Sequence, residues 1–303
     1  MAFEKEISRN DRVAGFVEDV KRMILDHLME KRLFNAQSFH FPGLAIGKML
    51  RTRFAARLFS APPNPHHAAE IKNACVAAEL VHTASLVHDD IIDGALIRRS
   101  QPALWKMSGP NSAVLMGDLL YCESLLYLLK DDNMPYAGIF VEKVREVCLA
   151  EIEQEIELRT RRIDHDCYIQ IVRSKTGPLF AFLGYVCGCD DYELSIALEE
   201  AGYLTGTAYQ IADDLIDVVG SEPAAGKTLG TDELRKKFTI AQGPQDDYPV
   251  ASHSIESLVY SAVSLLTKWP NHQKALFDFF ITDLQPILDK HCVGVDLKSD
   301  IAA

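Results

Sequence analysis

Two short acidic patterns carry the chemistry that can be read from this chain. His88-Asp89-Asp90-Ile91-Ile92-Asp93 and Ala212-Asp213-Asp214-Leu215-Ile216-Asp217 both read D-D-x-x-D. On a helix, positions i and i+4 share a face about 5–6 Å apart, so Asp89 stands beside Asp93 and Asp213 beside Asp217. Like charges so placed destabilise a bare helix by about 0.2–0.5 kcal/mol per pair, a penalty that a divalent cation between them removes. Carboxylate-only donors select a hard cation. Mg²⁺ takes one or two protein carboxylates, keeps some waters and fills its shell with phosphate oxygens, which two sparse acidic clusters would allow. An acidic triple can also be simply a solvated helix face. Both copies, however, lie in apolar runs, LVHDDIID and YQIADDLID, where unpaired carboxylates are expensive to bury. A shared Mg²⁺ site accounts for both.

The elements that must position these aspartates read as helices. The 13 prolines leave long proline-free runs at 66–101, 136–177 and 179–222. Apolar residues recur within them at three and four, as in Val76, Leu80, Thr83, Val87, Ile91 and in Leu194, Leu198, Ala201, Leu204, Ala208, Ile211. Sustained strand alternation is absent. No linker is long or polar enough to divide the chain, so residues 1–303 read as one all-α domain. The tail reads as two apolar helices, Ile255 to Leu266 and Ala275 to Leu288, with a packing or closing role.

Composition bounds the partners. With 48% apolar and 24% charged residues the chain is an ordinary globular protein, and a net charge of −12 makes nonspecific nucleic-acid or membrane binding a poor expectation. Cationic help for a phosphate ester must therefore be local or metal-borne. MAFEKEISRNDR carries charges where a secretory signal needs an apolar run, and the longest nearly apolar stretch, Pro178 to Cys189, is far short of the roughly 20 residues that span a bilayer. Seven cysteines, an odd count in a chain too long to need disulfide staples, suit a reducing cytoplasm. Cys187-x-Cys189 lacks a second ligand pair and reads as buried thiols.

The run E-L-V-H-T-A-S-L-V-H-D-D-I-I-D followed by Arg98-Arg99, then Y-Q-I-A-D-D-L-I-D and G-K-T-L-G-T-D, resembles the trans-isoprenyl diphosphate synthases, the polyprenyl synthetase family. The resemblance implies the isoprenoid synthase fold, a single large bundle of about ten or more helices around a deep apolar cavity, with the two aspartate motifs facing each other across its mouth. It implies a homodimer. It also implies that Asp89, Asp90, Asp93, Asp213, Asp214 and Asp217 hold Mg²⁺ against the diphosphate of an allylic substrate. Arg98 would contact that diphosphate, and Lys175, Lys227 and Lys237 would reach it from the far side. Lys48, Arg51, His82 and Arg99 resemble the site for isopentenyl diphosphate, and Thr176 and Gln210 match positions whose oxygens face the reacting carbons. The activity implied is a Mg²⁺-dependent condensation of isopentenyl diphosphate with an allylic prenyl diphosphate.

The chain also departs from the family pattern. The segment written G-G-K-R-x-R-P appears as Ile46-Gly47-Lys48-Met49-Leu50-Arg51-Thr52, losing a glycine and a cation. Ser100 stands where glycine follows the arginine pair, and Thr231 and Lys236 replace a lysine and a glycine. A weakly active partner subunit is therefore the second reading and a terpene cyclase the third. Both aspartate motifs are intact, which favours an active elongating enzyme. Product length in the family follows side-chain bulk before the first motif. Here Ala74, Ala78, Val81 and Ser85 form one small-residue stripe with Ala84 beside it, which predicts a product longer than farnesyl, in the geranylgeranyl to octaprenyl range. Tyr121, Leu125 and Tyr127 are candidate floor residues.

Overall fold

The proline-free runs become helices. In the computed structural model, residues 8–30, 47–60, 65–129, 135–158, 163–219, 248–290 and 295–297 are described. Among them are α1 (Arg9–Glu30), α2 (Leu50–Phe59), α3 (Ala68–Ile92), α4 (Leu104–Ser108), α5 (Pro110–Leu128), α6 (Ala137–Ile152), α7 (His165–Cys187), α8 (Tyr192–Val219), α9 (Tyr248–Ser264), α10 (Pro270–Phe279) and α11 (Gln285–Lys290). The one sheet among the described residues is a two-stranded hairpin, β1 (Ile97–Arg98) with β2 (Gln101–Pro102). The all-α expectation holds.

Local chemistry sets the helix starts. Pro110 and Pro270 occupy the first turns of α5 and α10, where a missing N–H costs nothing. Asp164 caps α7 by accepting from the Cys167 backbone N–H at 2.9 Å. One proline does not end its helix, because α7 runs through Pro178 to Cys187. The reason is the packing on either side of it. A Cβ on Gly206 would lie 2.7 Å from the Gly177 Cα, and one on Gly202 would lie 2.6 Å from the Ala181 Cα. Close contact between the α7 and α8 backbones thus brackets the proline and offsets its lost hydrogen bond.

These contacts make α7 and α8 the most extensive helix pair, followed by α3 with α5. Phe54 of α2 meets Phe180 of α7 and Phe279 of α10 edge-on, each at 5.5 Å between ring centres, so three helices share one aromatic core. The tail is tied in by a buried pair, Arg57 Nε to Asp283 at 2.7 Å, while the Arg57 Nη1 donates to Asn10 of α1 at 2.6 Å. Its packing role is therefore concrete. Among the described residues no helix is long and apolar enough to cross a membrane.

Candidate active site

The C-terminal end of α3 carries the first motif. Asp90 is 3% exposed and turns inward, accepting from Arg98 Nε at 2.9 Å. Burial raises its pKa, and the Arg98 hydrogen bond opposes that. Burial would depress the Arg98 guanidinium, but the Asp90 hydrogen bond and the charges of Asp90, Asp89 and Asp213 hold its pKa above the ordinary value. One arginine thus feels carboxylates of both motifs, and α3 and α8 bring the two motifs toward each other.

Arg98 is held there by the hairpin. Arg99 and Ser100, at φ 53° and 61°, form its two-residue turn, with Ile97 paired to Pro102 and Arg98 to Gln101. Left-handed conformations at both turn residues suit this hairpin and favour glycine or asparagine. This is the physical meaning of the glycine that Ser100 replaces. Arg99 lies against Gly47, where a Cβ would stand 2.6 Å from the Arg99 Nη2. A side chain at position 47 would displace the Arg99 guanidinium from this place.

The second motif sits on α8 and is wired to α7. Thr176 Oγ1 donates to Gln210 Oε1 at 2.6 Å, Gln210 Nε2 donates to Asp214 Oδ1 at 2.8 Å, and Tyr168 Oη donates to Asp214 Oδ2 at 2.7 Å. Lys175, next to Thr176, pairs with Glu151 of α6 at 2.7 Å and donates to Gln154 Oε1 at 3.2 Å. Burial alone would lower its pKa, but Glu151 together with the charges of Asp89 and Asp93 raises it, so Lys175 stays cationic and faces the first motif.

A second cationic group lies beside the first. Arg51 is 9% exposed, its guanidinium 5.3 Å from the centre of the Phe180 ring, and its Nε is buried with no hydrogen-bond partner among the described residues. Burial first, then the charges of Arg51, Arg99 and Arg98, push the His82 pKa well below the ordinary histidine value. His82 is thus a neutral ring among three arginines. Lys48 is exposed, and its carbonyl accepts from Arg53 Nε at 3.1 Å. Met49, the residue replacing a cation, is buried at φ 52° in the core as the N-cap of α2. The side chain of Asp217 and all of Lys227, Thr231, Lys236 and Lys237 lie outside the described residues.

Below the first motif the space is small. Val81, Ser85, Tyr121, Val144, Val147 and Leu179 line a void of about 10 Å³, room for about one water. Tyr121 of α5 stands on the wall of this void. Ala74, Ala78 and Ala84 are fully buried, and none of the three lines the void. A larger groove of about 490 Å³, between the start of α7 and α9 at His165 and His253, contains no motif residue.

Sequence reasoning missed Tyr168, Glu79, Glu151 and Gln154. Tyr168 precedes Lys175 by seven residues, two turns along one helical face, which was the available signal. Glu151 and Gln154 share a face at i and i+3, but nothing local says that Lys175 meets them.

The fold matches solved polyprenyl synthases. A geranyltransferase from Helicobacter pylori, complexed with magnesium and isoprenyl diphosphate, superposes with a TM-score of 0.75 at 21% identity, covering 93% of this chain and 99% of that one. A heptaprenyl diphosphate synthase from Staphylococcus aureus gives 0.75 at 19% identity, covering 92% and 98%. In sequence, the chain is 32% identical to a geranylgeranyl diphosphate synthase of Methanosarcina mazei over 203 residues, 64% of this chain and 62% of the relative. It is likewise 32% identical to heptaprenyl diphosphate synthase component 2 of Bacillus subtilis, over 64% of this chain and 56% of the relative. The chain thus matches about 60% of the length of these relatives. The polyprenyl synthetase sequence profile matches residues 39–242, the segment that holds both aspartate motifs and the hairpin between them, and the chain belongs to the polyprenyl synthetase family.

Proposed function

We propose that this protein is a chain-elongating prenyltransferase that condenses isopentenyl diphosphate with an allylic prenyl diphosphate to give a longer trans-polyprenyl diphosphate. The observation that carries this reading is the pairing of two different anion sites. The aspartate motifs converge on Arg98, and the metal-independent group of Arg51, Arg99 and His82 lies alongside. An elongating enzyme handles two diphosphates, and this arrangement supplies one site for each. A cyclase needs only the first.

The carboxylate donors fit Mg²⁺. Mg²⁺ takes one or two carboxylates from a protein and draws the rest of its shell from substrate oxygens and water, which the paired aspartates of the two motifs suit. Asp90 and Asp214 keep their protein partners in this reading, and Asp89, Asp93, Asp213 and Asp217 hold the metal. Bound there, Mg²⁺ would neutralise charge on the departing allylic diphosphate. Lys175 and Arg98 share that task, and Lys227 and Lys237 are proposed to join it. The apolar walls at Val81 and Leu179 exclude water from the allylic cation. The neutral imidazole of His82 adds no charge to the two arginines, Arg51 and Arg99, around the isopentenyl diphosphate. The alkene carbons attack, and the released diphosphate takes the proton that is lost.

Small side chains at Val81 and Ser85 support a product longer than farnesyl, with Tyr121 setting the limit. Association through α5 and α6 is part of the proposal. Leu115 and Leu126 of α5, Leu149 and Ile152 of α6 and Ile156 in the π-helical turn just after α6 are 48–73% exposed, an apolar face suited to a second copy in a cytoplasmic homodimer.

Incubating the purified chain with Mg²⁺, farnesyl diphosphate and labelled isopentenyl diphosphate tests the reading. Label in longer prenyl chains supports it. Incorporation only after a homologous synthase is added selects the second reading, a partner subunit, which the loss of a cation at Met49 favours. No incorporation under either condition overturns both.

A further inference from the structure

The cationic group needs something to set it in place, and the helix that bears Arg51 lacks a cap of its own. The N-cap of α2 is Met49, whose side chain makes no capping hydrogen bond. A carboxylate from another helix does the work. Glu79 of α3 is 7% exposed and accepts from both the Thr52 hydroxyl at 2.8 Å and the Thr52 backbone N–H at 3.3 Å, the two donors converging on one oxygen, Oε1. Thr52 is fully buried in the first turn of α2, where backbone N–H groups have no partner inside the helix and a negative charge is favoured. A proline at this position, as in the pattern from which the chain departs, could supply neither donor.

We propose that Glu79, clamped by Thr52, is a positioning residue that fixes the first turn of α2 and so sets Arg51, together with Arg99, for isopentenyl diphosphate. Arg51 directly precedes Thr52, and its Nε is buried without a partner among the described residues, so its aim depends on this turn. Glu79 is also the principal attractive charge acting on both Arg51 and Arg99. It lies three residues before His82 on α3, so one side chain relates all three members of the group. The clamp takes two donors onto Glu79 Oε1, which leaves the arginines less tied to that oxygen and able to turn to a diphosphate. The inference rests on the assignment of this group to isopentenyl diphosphate.

The test compares wild type, Thr52→Val, Thr52→Ala, Thr52→Ser and Arg51→Gln in the full chain. Each diphosphate is varied in turn, and isopentenyl diphosphate is titrated calorimetrically into metal-free protein. Thr52→Val is expected to raise KM for isopentenyl diphosphate and weaken its metal-free binding about tenfold, with kcat and the allylic KM within about twofold. Thr52→Ser restores both, and Thr52→Ala behaves as Thr52→Val does and replaces it if that variant does not fold. An unchanged isopentenyl KM, or equal changes in both KM values, overturns the positioning role. If Arg51→Gln binds isopentenyl diphosphate as wild type does, or wild type does not bind it at all, the site assignment fails and the inference with it. Weakened binding in Arg51→Gln with none in Thr52→Val sinks the inference alone.

Discussion

Thr176 and Gln210 meet across the packed face of α7 and α8, the hydroxyl donating to the amide oxygen at 2.6 Å. Asp214 decides which way the amide faces, because a carboxylate only accepts and so draws the amide nitrogen, leaving the amide oxygen to the Thr176 hydroxyl. With Tyr168 on the other oxygen, both acceptor atoms of a carboxylate that is 8% exposed are engaged by protein donors. The middle aspartate of each motif is thus held by protein, Asp214 by an amide and a phenol, Asp90 by an arginine.

Tyr168→Phe removes a hydrogen bond to a buried charge while leaving the ring in place. A stability loss of about 1.5–3 kcal/mol is expected, with reduced turnover because Asp214 is no longer held from both sides. Denaturant unfolding of metal-free protein measures the first and product formation the second. Unchanged stability would show that the phenol contributes nothing to the second motif.

The aspartates of the two motifs should separate by phenotype. Asp89→Ala and Asp213→Ala are expected to cut turnover about 100-fold or more without loss of fold. Asp90→Ala strands the largely buried Arg98 charge and is expected to cost on the order of 3 kcal/mol of stability as well. Thermal melts beside turnover measurements check this, and equal melting temperatures for Asp89→Ala and Asp90→Ala would contradict the division of roles.

Ser100 sits at φ 61° in the hairpin turn, a conformation that glycine adopts without steric penalty. Ser100→Gly is expected to stabilise the protein by about 0.5–1 kcal/mol, after allowing for the greater freedom of glycine in the unfolded chain, with activity retained. The denaturation midpoint reads the effect, and a lower midpoint would refute the strained turn.

Product length should respond to the residues that line the void rather than to all of the small-residue stripe. Val81→Phe is expected to shorten the product and Tyr121→Ala to lengthen it. Ala84→Phe, aimed at a residue with no exposure and no place on the void wall, is expected instead to overpack the core at a cost of about 1–3 kcal/mol. Chromatography of dephosphorylated products, with melts of each variant, distinguishes blocking from overpacking.

His82 makes stability depend on pH. Its folded pKa lies well below that of an unfolded histidine, about 6.5, because burial and Arg51, Arg99 and Arg98 oppose its charge. Between the two values the unfolded chain binds more protons, so stability from this residue is present above pH 6.5 and is lost as pH falls, by up to about 1.4 kcal/mol per unit. His67, whose pKa is raised by hydrogen bonds to Glu70 and Asp190, acts in the opposite sense above pH 6.5, where its contribution is lost as pH rises through its folded pKa. Unfolding free energy against pH in wild type and His82→Gln should show a shallower acid slope in the variant. Parallel slopes would refute the assignment.

Much of this was legible in the residues alone, for physical reasons that can be named. Helix periodicity and proline spacing are local properties, so α3 and α8 and the helical face shared by Asp89 and Asp93 follow from sequence order. The family resemblance rested on separated motifs, and it extended to the hairpin arginines and to the glycine that a left-handed turn prefers at position 100. What tertiary packing alone decided is the direction in which each side chain is used. A D-D-x-x-D pattern is the same string whether its middle aspartate faces a metal or an arginine. Asp90 turned to Arg98 because the hairpin brought that cation to a buried carboxylate, and Asp214 turned to Tyr168 because α7 crosses α8 there. The passage of α7 through Pro178 was equally hidden, since the contacts that override a proline come from glycines 24 and 28 residues further along the chain, Gly202 and Gly206. Glu79 read as one more charged residue on an apolar helix until α2 folded against it and its two donors, both from Thr52, came within reach. Burial converts such a residue from a solvated charge into an anchor, and burial is a property of the packed chain and not of any segment of it.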